Sequence, residues 1–364
     1  MLTYLIPTRD RTESLARTLR QIESLSAAAH ERIGGAEVIV VDDCSTVPVC
    51  APSCLINGFA LRVLRTDRIM GAAARNVGAL EARGEWIIML DDDSWPIDDG
   101  LIEVIAGADD DVAAIGGEIV LPDGRREDGG LPEVIVGCGA ALRRSTFLDV
   151  GGYDDDFHYY AEEYDLCAKL IRGGWRIEHD FRMKFHHAKI AQGRDMSAIL
   201  RRLVRNNGWV AARYAPMTER GGEVERVIER CALIAEREHA RFGFEQGLDD
   251  LMRTIDAQQD RAMSECEWNR FTGRTAAERD LVPELSAAKV PLAIVAAGRN
   301  EWVVREVLAA NGCQTTQQDR SAAGLVIGTL SPGPMLNALA SLRSESRLVL
   351  MPWQPAGMCE RTCV

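Results

Sequence analysis

Short apolar runs alternate with amphipathic stretches from residue 2 to about 190, the order in which strands and helices take turns along an α/β domain. The runs at 2–6, 38–41 and 86–90 predict buried strands, and weaker strand signals stand at 112–115 and 133–137. Helical spacing marks 12–25, 72–82, 145–150 and 162–171. Farther on, 195–214 repeats its apolar residues through Met196, Ile199, Leu200, Leu203 and Trp209, and charge-rich helix is predicted over 224–255. Residues 270–285 are polar, with few apolar positions. Pro291 then opens a second alternation at 292–295, 302–311, 324–328, 335–342 and 348–351, which reads strand, helix, strand, helix, strand. The expected organisation is a first domain over 1–215, a helical annex and linker over 216–289, and a small Rossmann-like α/β unit over 290–364. Ala296-Ala297-Gly298 retains a single glycine of the dinucleotide fingerprint, so no dinucleotide is expected there.

Composition narrows the function. With 364 residues, 46% hydrophobic and 27% charged, the chain has the make-up of a globular protein. A formal net charge of −13 argues against nucleic acid as the main partner, because phosphate backbones reward clustered Lys and Arg. No apolar run reaches the roughly 18 to 20 residues of a membrane-spanning helix, and Met1 leads directly into the first strand, so a cytoplasmic location is expected. Cys44, Cys50 and Cys54 cluster without C-x-x-C spacing, which predicts unpaired thiols rather than a zinc site or disulfides.

The chemistry collects at predicted strand ends. Asp91-Asp92-Asp93 follows the strand at 86–90; in continued strand geometry Asp91 and Asp93 project to one face and Asp92 to the other. A divalent cation would relieve the repulsion among them. Pro7-Thr8-Arg9-Asp10-Arg11 and Val41-Asp42-Asp43-Cys44-Ser45 follow the first two strands, so the same rim gathers all three segments. Aspartates there can accept from a nucleobase or ribose, and Arg9 can meet a base or phosphates. Gly71 to Gly78 opens a helix with small residues and carries Arg75, a setting for an anion. Gly137-Cys138-Gly139 offers backbone to an approaching acceptor. Residues 151–166 run from an aromatic cluster with Tyr159 and Tyr160 into Glu162 and Glu163 at a helix start, where one carboxylate can act as a general base. His186 and His187 follow another strand-like stretch; one imidazole joined to Asp93 would favour manganese over magnesium.

The ordered set of Pro7-Thr8, Val41-Asp42-Asp43-x-Ser45, Ala74-Arg75-Asn76, Leu90-Asp91-Asp92-Asp93, Gly151-Gly152-Tyr153 and Glu162-Glu163-x-Asp165-Leu166 resembles the family 2 glycosyltransferases. Arg205-Asn206-x-x-Trp209 is similar to a helix that follows the catalytic domain in some members. The resemblance implies the GT-A nucleotide-diphosphosugar-transferase fold and inverting transfer of a sugar from a nucleotide diphosphate donor to an acceptor hydroxyl. It implies that Pro7, Thr8, Arg9, Asp43, Arg75, Asp91 and Asp92 serve the donor, with Asp43 at the base and Asp91 at the ribose or metal. Asp93 and His186 would hold the divalent cation. Glu163, where the family often carries Asp, would be the base, with Glu162 and Asp165 as alternatives. Trp95, Gly139, Tyr160 and Glu162 are the candidates for contact with the acceptor, and the C-terminal unit could dock, dimerise or bind acceptor. Two other readings are an idle sugar-nucleotide scaffold or sensor, and a sugar nucleotidyltransferase; the latter normally starts with a glycine-rich phosphate loop, which Pro7-Thr8-Arg9-Asp10 lacks.

Overall fold

The computed structural model describes residues 1–189, 195–288, 291–313, 315–316 and 322–358. The main sheet contains β1 (Leu2–Thr8), β2 (Ala36–Asp42), β3 (Ala60–Arg65), β4 (Trp86–Met89), β5 (Ser94–Pro96), β6 (Val112–Val120), β7 (Ala140–Arg143) and β8 (Arg176–His187), in the order β3-β2-β1-β4-β7-β6-β8-β5. Strands β1 to β4 run parallel, β7 opposes both of its neighbours, and β5 opposes β8. Thr8 is level with Asp42 in the β1–β2 register, so the segments that follow both strands emerge on one edge.

Side-chain alternation gives the sheet two apolar faces. Leu5, Ile39 and Ile87 face one layer, while Tyr4, Val40 and Ile88 face the other. The helices around this sheet are α1 (Thr12–Ile22), α2 (Ala27–Glu31), α3 (Ala74–Glu81), α4 (Gly100–Ala106), α5 (Arg144–Asp149) and α6 (Glu162–Arg172). Helix α3 lies so close to β1 and β2 that a Cβ on Gly78 would collide with Leu5 and Val41. Each buried Leu or Ile in these layers contributes about 1.5–3 kcal/mol.

The annex contains α7 (Met196–Tyr214), α8 (Arg220–Arg237), α9 (Arg241–Thr254), α10 (Glu265–Thr272) and α11 (Arg274–Ala288). The single helix expected over 224–255 is broken at His239, whose φ of 53° turns the chain back so that α9 packs on α7. The polar stretch at 270–285 is helical as well, because it needs only one narrow buried stripe, including Phe271, Ala277 and Leu281. Strand signal at 133–137 corresponds to a buried turn: Val134 and Ile135 are apolar because they fill core space, and β7 supplies the strand that follows.

Beyond the annex, β9 (Leu292–Val295), α12 (Glu301–Ala310), β10 (Thr315–Thr316), β11 (Gly324–Ile327), α13 (Pro332–Ser341) and β12 (Leu348–Leu350) form a second, parallel sheet in the order β10-β9-β11-β12 with its helices. This unit grips the first through side chain to backbone bonds. Asn337 both accepts from Arg126 N at 2.9 Å and donates to Arg126 O at 3.2 Å, and Ser331 pairs with Gly129. No described helix is long and apolar enough to cross a membrane, and the described cysteines are all free.

Candidate active site

The rim at the ends of β1, β2 and β4 is tied together by carboxylates. Asp43, 1% exposed, accepts from the backbone amides of Met70 at 2.8 Å and Gly71 at 2.9 Å and from Thr66 Oγ1 at 3.2 Å. Its oxygens therefore shape the loop before α3 instead of standing free at the rim. Gly71 has φ +65°, and its missing side chain leaves room for the carbonyl of His158, which accepts from Ala72 N at 2.7 Å.

Strand β4 ends at Met89, and Asp91 to Ser94 form a turn in which Ser94 N donates to Asp91 O at 3.1 Å and Asp91 N to Ser94 Oγ at 2.8 Å. The turn separates the three carboxylates. Asp91 remains partly exposed and pairs with Arg75, whose buried guanidinium also donates to Leu90 O at 3.0 Å. Asp92 points inward, accepting from Thr8 Oγ1 at 2.8 Å and pairing with Arg11 at 2.8 Å, while its own carbonyl accepts from Thr18. Asp93 pairs with Arg11 at 2.7 Å and lies 3.4 Å from Nε2 of His187. The expected donor contact through Asp92 and Thr8 is thus replaced by an internal bond between them.

His187 rather than His186 meets the acidic turn. Strand β8 pairs with β5 so that Ser94 lies opposite His187 and Trp95 opposite His186. Neighbouring side chains on a strand face opposite ways, and a shift of one residue decides which imidazole points inward. The His186 ring packs against Trp95 with centroids 4.7 Å apart. His187 holds Glu127 Oε2 at 2.8 Å and Cys138 Sγ at 3.6 Å on Nδ1, opposite the nitrogen that faces Asp93. One donor atom from each of Asp91, Cys138 and His187 lies within 4.8 Å of the other two. This mixed oxygen, nitrogen and sulfur set, with a carboxylate orienting the imidazole, fits a divalent transition metal.

The base candidates stand nearby. His158, Tyr160 and Ala161 all have positive φ, at 62°, 72° and 66°. Asn206 of α7 stabilises this bent segment by donating from Nδ2 to the carbonyls of Phe157 at 3.0 Å, Tyr159 at 2.9 Å and Tyr160 at 2.7 Å. The segment delivers Glu162 and Glu163 at the first turn of α6. Glu163 Oε1 accepts from Gly137 N at 3.1 Å, and a Cβ on Gly137 would stand 2.8 Å from that oxygen. Asp165 is closed off by Arg213 at 2.9 Å, Tyr214 at 2.8 Å and Lys169 at 2.7 Å.

The sequence model described as Glycosyl transferase family 2 matches residues 3–164. Residues 3–164 are thus similar to the family 2 glycosyltransferases. A pre-mycofactocin glycosyltransferase of Mycobacterium tuberculosis is 29% identical over 204 residues, 49% of this chain and 41% of that protein. The succinoglycan biosynthesis protein ExoO of Rhizobium meliloti is 34% identical over 109 residues, 30% of each chain. The matched regions thus span less than half of these curated relatives. Among solved structures, GalNAc-T7 with UDP, GalNAc and Mn2+ superposes with a TM-score of 0.50 at 16% identity, covering 71% of this chain and 57% of that one. The fold is GT-A, extended by the helical annex and the small C-terminal sheet.

Within this site, electrostatics separates the carboxylates further. Burial pushes Asp92 up to about 7 against the pull of Arg11 and Thr8. Burial also opposes ionisation of Asp93, but hydrogen bonds from His187 and Arg11 hold it well below the usual carboxylate range. Burial raises both Glu162 and Glu163, and Glu163 adds to the rise at Glu162, whose Oε2 is buried without a hydrogen-bond partner. Of the other expected residues, Pro7 is half-buried, while Arg9 is exposed and lies 3.9 Å from Asp10. Gly139 faces Ile119 and Phe185 of β6 and β8, where a Cβ would clash, so its small size serves sheet packing. Arg11, Gly137 and Cys138 lie in segments marked in the sequence but enter the site in other roles, as partners of Asp92 and Asp93, of Glu163 and of His187, whereas Glu127 comes from a loop with no motif at all.

Proposed function

We propose that the protein transfers a sugar from a nucleotide diphosphate sugar to an acceptor hydroxyl with inversion at the anomeric carbon. The supporting observation is adjacency: Glu163 is held by Gly137 N, one residue from Cys138, whose thiol belongs to the donor group of Asp91 and His187. A proton-accepting carboxylate and a cation-binding rim thus meet at one strand edge, the place where open α/β sheets bind ligands.

In this reading Asp91, Cys138 and His187, with Asp93 beside them, would hold a divalent cation, manganese favoured over magnesium by the imidazole, and such a cation would supply positive charge to the departing nucleotide diphosphate. Arg75 fixes Asp91, and Glu127 fixes the ring of His187. Glu163 takes the proton of the acceptor hydroxyl as its oxygen bonds to the anomeric carbon and the bond to the donor phosphate breaks on the opposite side. Burial raises its pKa, which makes the ionised carboxylate a stronger proton acceptor than an exposed one. The test is Glu163→Gln. Transfer should fall by about 100-fold or more while nucleotide binding, measured by calorimetry, persists; a variant with full activity removes Glu163 from the role.

A further inference from the structure

Helices α7 and α9 enclose a cleft of about 510 Å³ on the outer side of the segment that feeds the catalytic helix. The two helices meet closely because Gly243 and Gly247 of α9 rest on the α7 backbone at Ser197 and Arg201. This contact leaves Phe242, 67% exposed, and Gln246 lining the cleft with Arg201, Arg202 and Arg205, three arginines on two successive turns of α7.

Three arginines and two carboxylates line the cleft, and one of the carboxylates, Asp195, accepts from the α7 amides of Ser197 at 2.9 Å and Ala198 at 3.2 Å. Arg201 is neutralised by Asp250 at 2.5 Å, and Asp250 also pairs with Arg253. Arg205 lies 4.3 Å above the ring of Trp209 and donates to Asp156 O at 3.1 Å, with no carboxylate partner. Arg202 has no hydrogen-bond or ion-pair partner among the described residues. Burial lowers the affinity of Arg205 for its proton, and Arg202 and Arg201 lower it further against the opposing pull of Asp250 and Asp156. The same two guanidiniums act on His158, which touches the loop shaped by Asp43.

We propose that this cleft binds a phosphate group carried by the acceptor. Guanidiniums present paired donors that match phosphate oxygens, and Ser197 and Gln246 add neutral polar groups beside them. Arg205 touches Asp156, and Asn206 next to it secures the carbonyls of 157, 159 and 160, so a group seated on Arg202 and Arg205 adjoins the chain leading to Glu163. The space exceeds that of a bare ion and admits the linked sugar or polyol. The role as acceptor rests on the glycosyl-transfer reading, whereas phosphate binding at the cleft stands apart from it.

Calorimetry at low ionic strength in EDTA tests this with inorganic phosphate, glycerol 1-phosphate and phosphatidylglycerol vesicles, since salt screens such contacts. Arg202→Gln should weaken binding about tenfold, the loss of one charge-assisted contact, and Arg202→Lys, which keeps the charge but not the paired donors, should weaken it less than Gln does. Nucleoside diphosphate binding with manganese should be unchanged in both. Preference for glycerol 1-phosphate would indicate a soluble acceptor, and preference for vesicles a lipid-linked one. Equal phosphate affinity in wild type and Arg202→Gln, or none in wild type, overturns the proposal. Phosphate binding that survives where no nucleotide binds would remove the glycosyl-transfer reading and leave the cleft assignment standing.

Discussion

Glu163 and Glu162 are adjacent in sequence yet differ in what holds them. Glu163 keeps one oxygen on Gly137 N, whereas Glu162 is 7% exposed with an oxygen that meets no donor among the described residues. The ionised form of Glu163 is the one that can take a proton, and burial raises its pKa, so the transfer rate should rise with pH through that raised value and fall below it. A pH–rate profile with no acidic limb would exclude Glu163 as the base. The two histidines separate just as sharply. His187→Ala should raise the manganese dissociation constant at least about tenfold, while His186→Ala, which removes a ring resting on Trp95, should leave it unchanged. Equal effects in metal titrations would return the ligand role to the pair as a whole.

At the scale of elements, the turn before Glu162 is an unfavourable backbone stabilised by a neighbouring helix. Three residues with positive φ precede Glu162, and such conformations persist only when their surroundings over-determine them. Asn206 supplies that constraint from α7, with Arg213 beside it pairing both Asp154 and Asp165. Asn206→Ala leaves three carbonyls, one buried and two partly buried, without this donor and should destabilise the protein by about 1–3 kcal/mol. It should also lower kcat more than it changes nucleotide affinity. An unchanged urea midpoint would show that water or another side chain replaces the amide. The spacing Arg205-Asn206-x-x-Trp209 carries this role in the sequence, although only packing shows that Asn206 reaches across to residues 157–160.

Across the whole molecule, the C-terminal segment returns to the first sheet at His179. Ala356 N donates to His179 O at 2.9 Å, and the imidazole, whose Nε2 lies 3.0 Å from Leu131 O, packs against Trp353 with centroids 5.5 Å apart. Burial lowers His179 from 6.5 to about 4, so the folded ring stays neutral where the unfolded one takes a proton. Stability is therefore full above the unfolded value and is lost as pH falls from 6.5 towards 4, amounting to about 3 kcal/mol at the low end. Melting temperatures between pH 7 and 4.5 should fall less steeply in His179→Asn than in wild type; parallel curves would mean that other groups carry the acid sensitivity.

Local order was legible in the chain. Apolar runs marked β1, β2, β4 and the C-terminal strands, because a strand buried on both faces must be apolar throughout. The acidic turn, the helix at Arg75 and the Glu162-Glu163 pair were visible as residue types in order. Three-dimensional contacts alone decided which members of those motifs face the site. The β5–β8 register selected His187 over His186, and the turn after β4 sent Asp92 inward to Thr8 and Arg11. Asp43 bound its own loop, while Glu127, Cys138 and Gly137 came to the site from segments whose local pattern reports only burial or a turn. Periodicity records which positions a chain must hide from water; partners distant in sequence are chosen by register and packing, and these exist only once the sheet has formed.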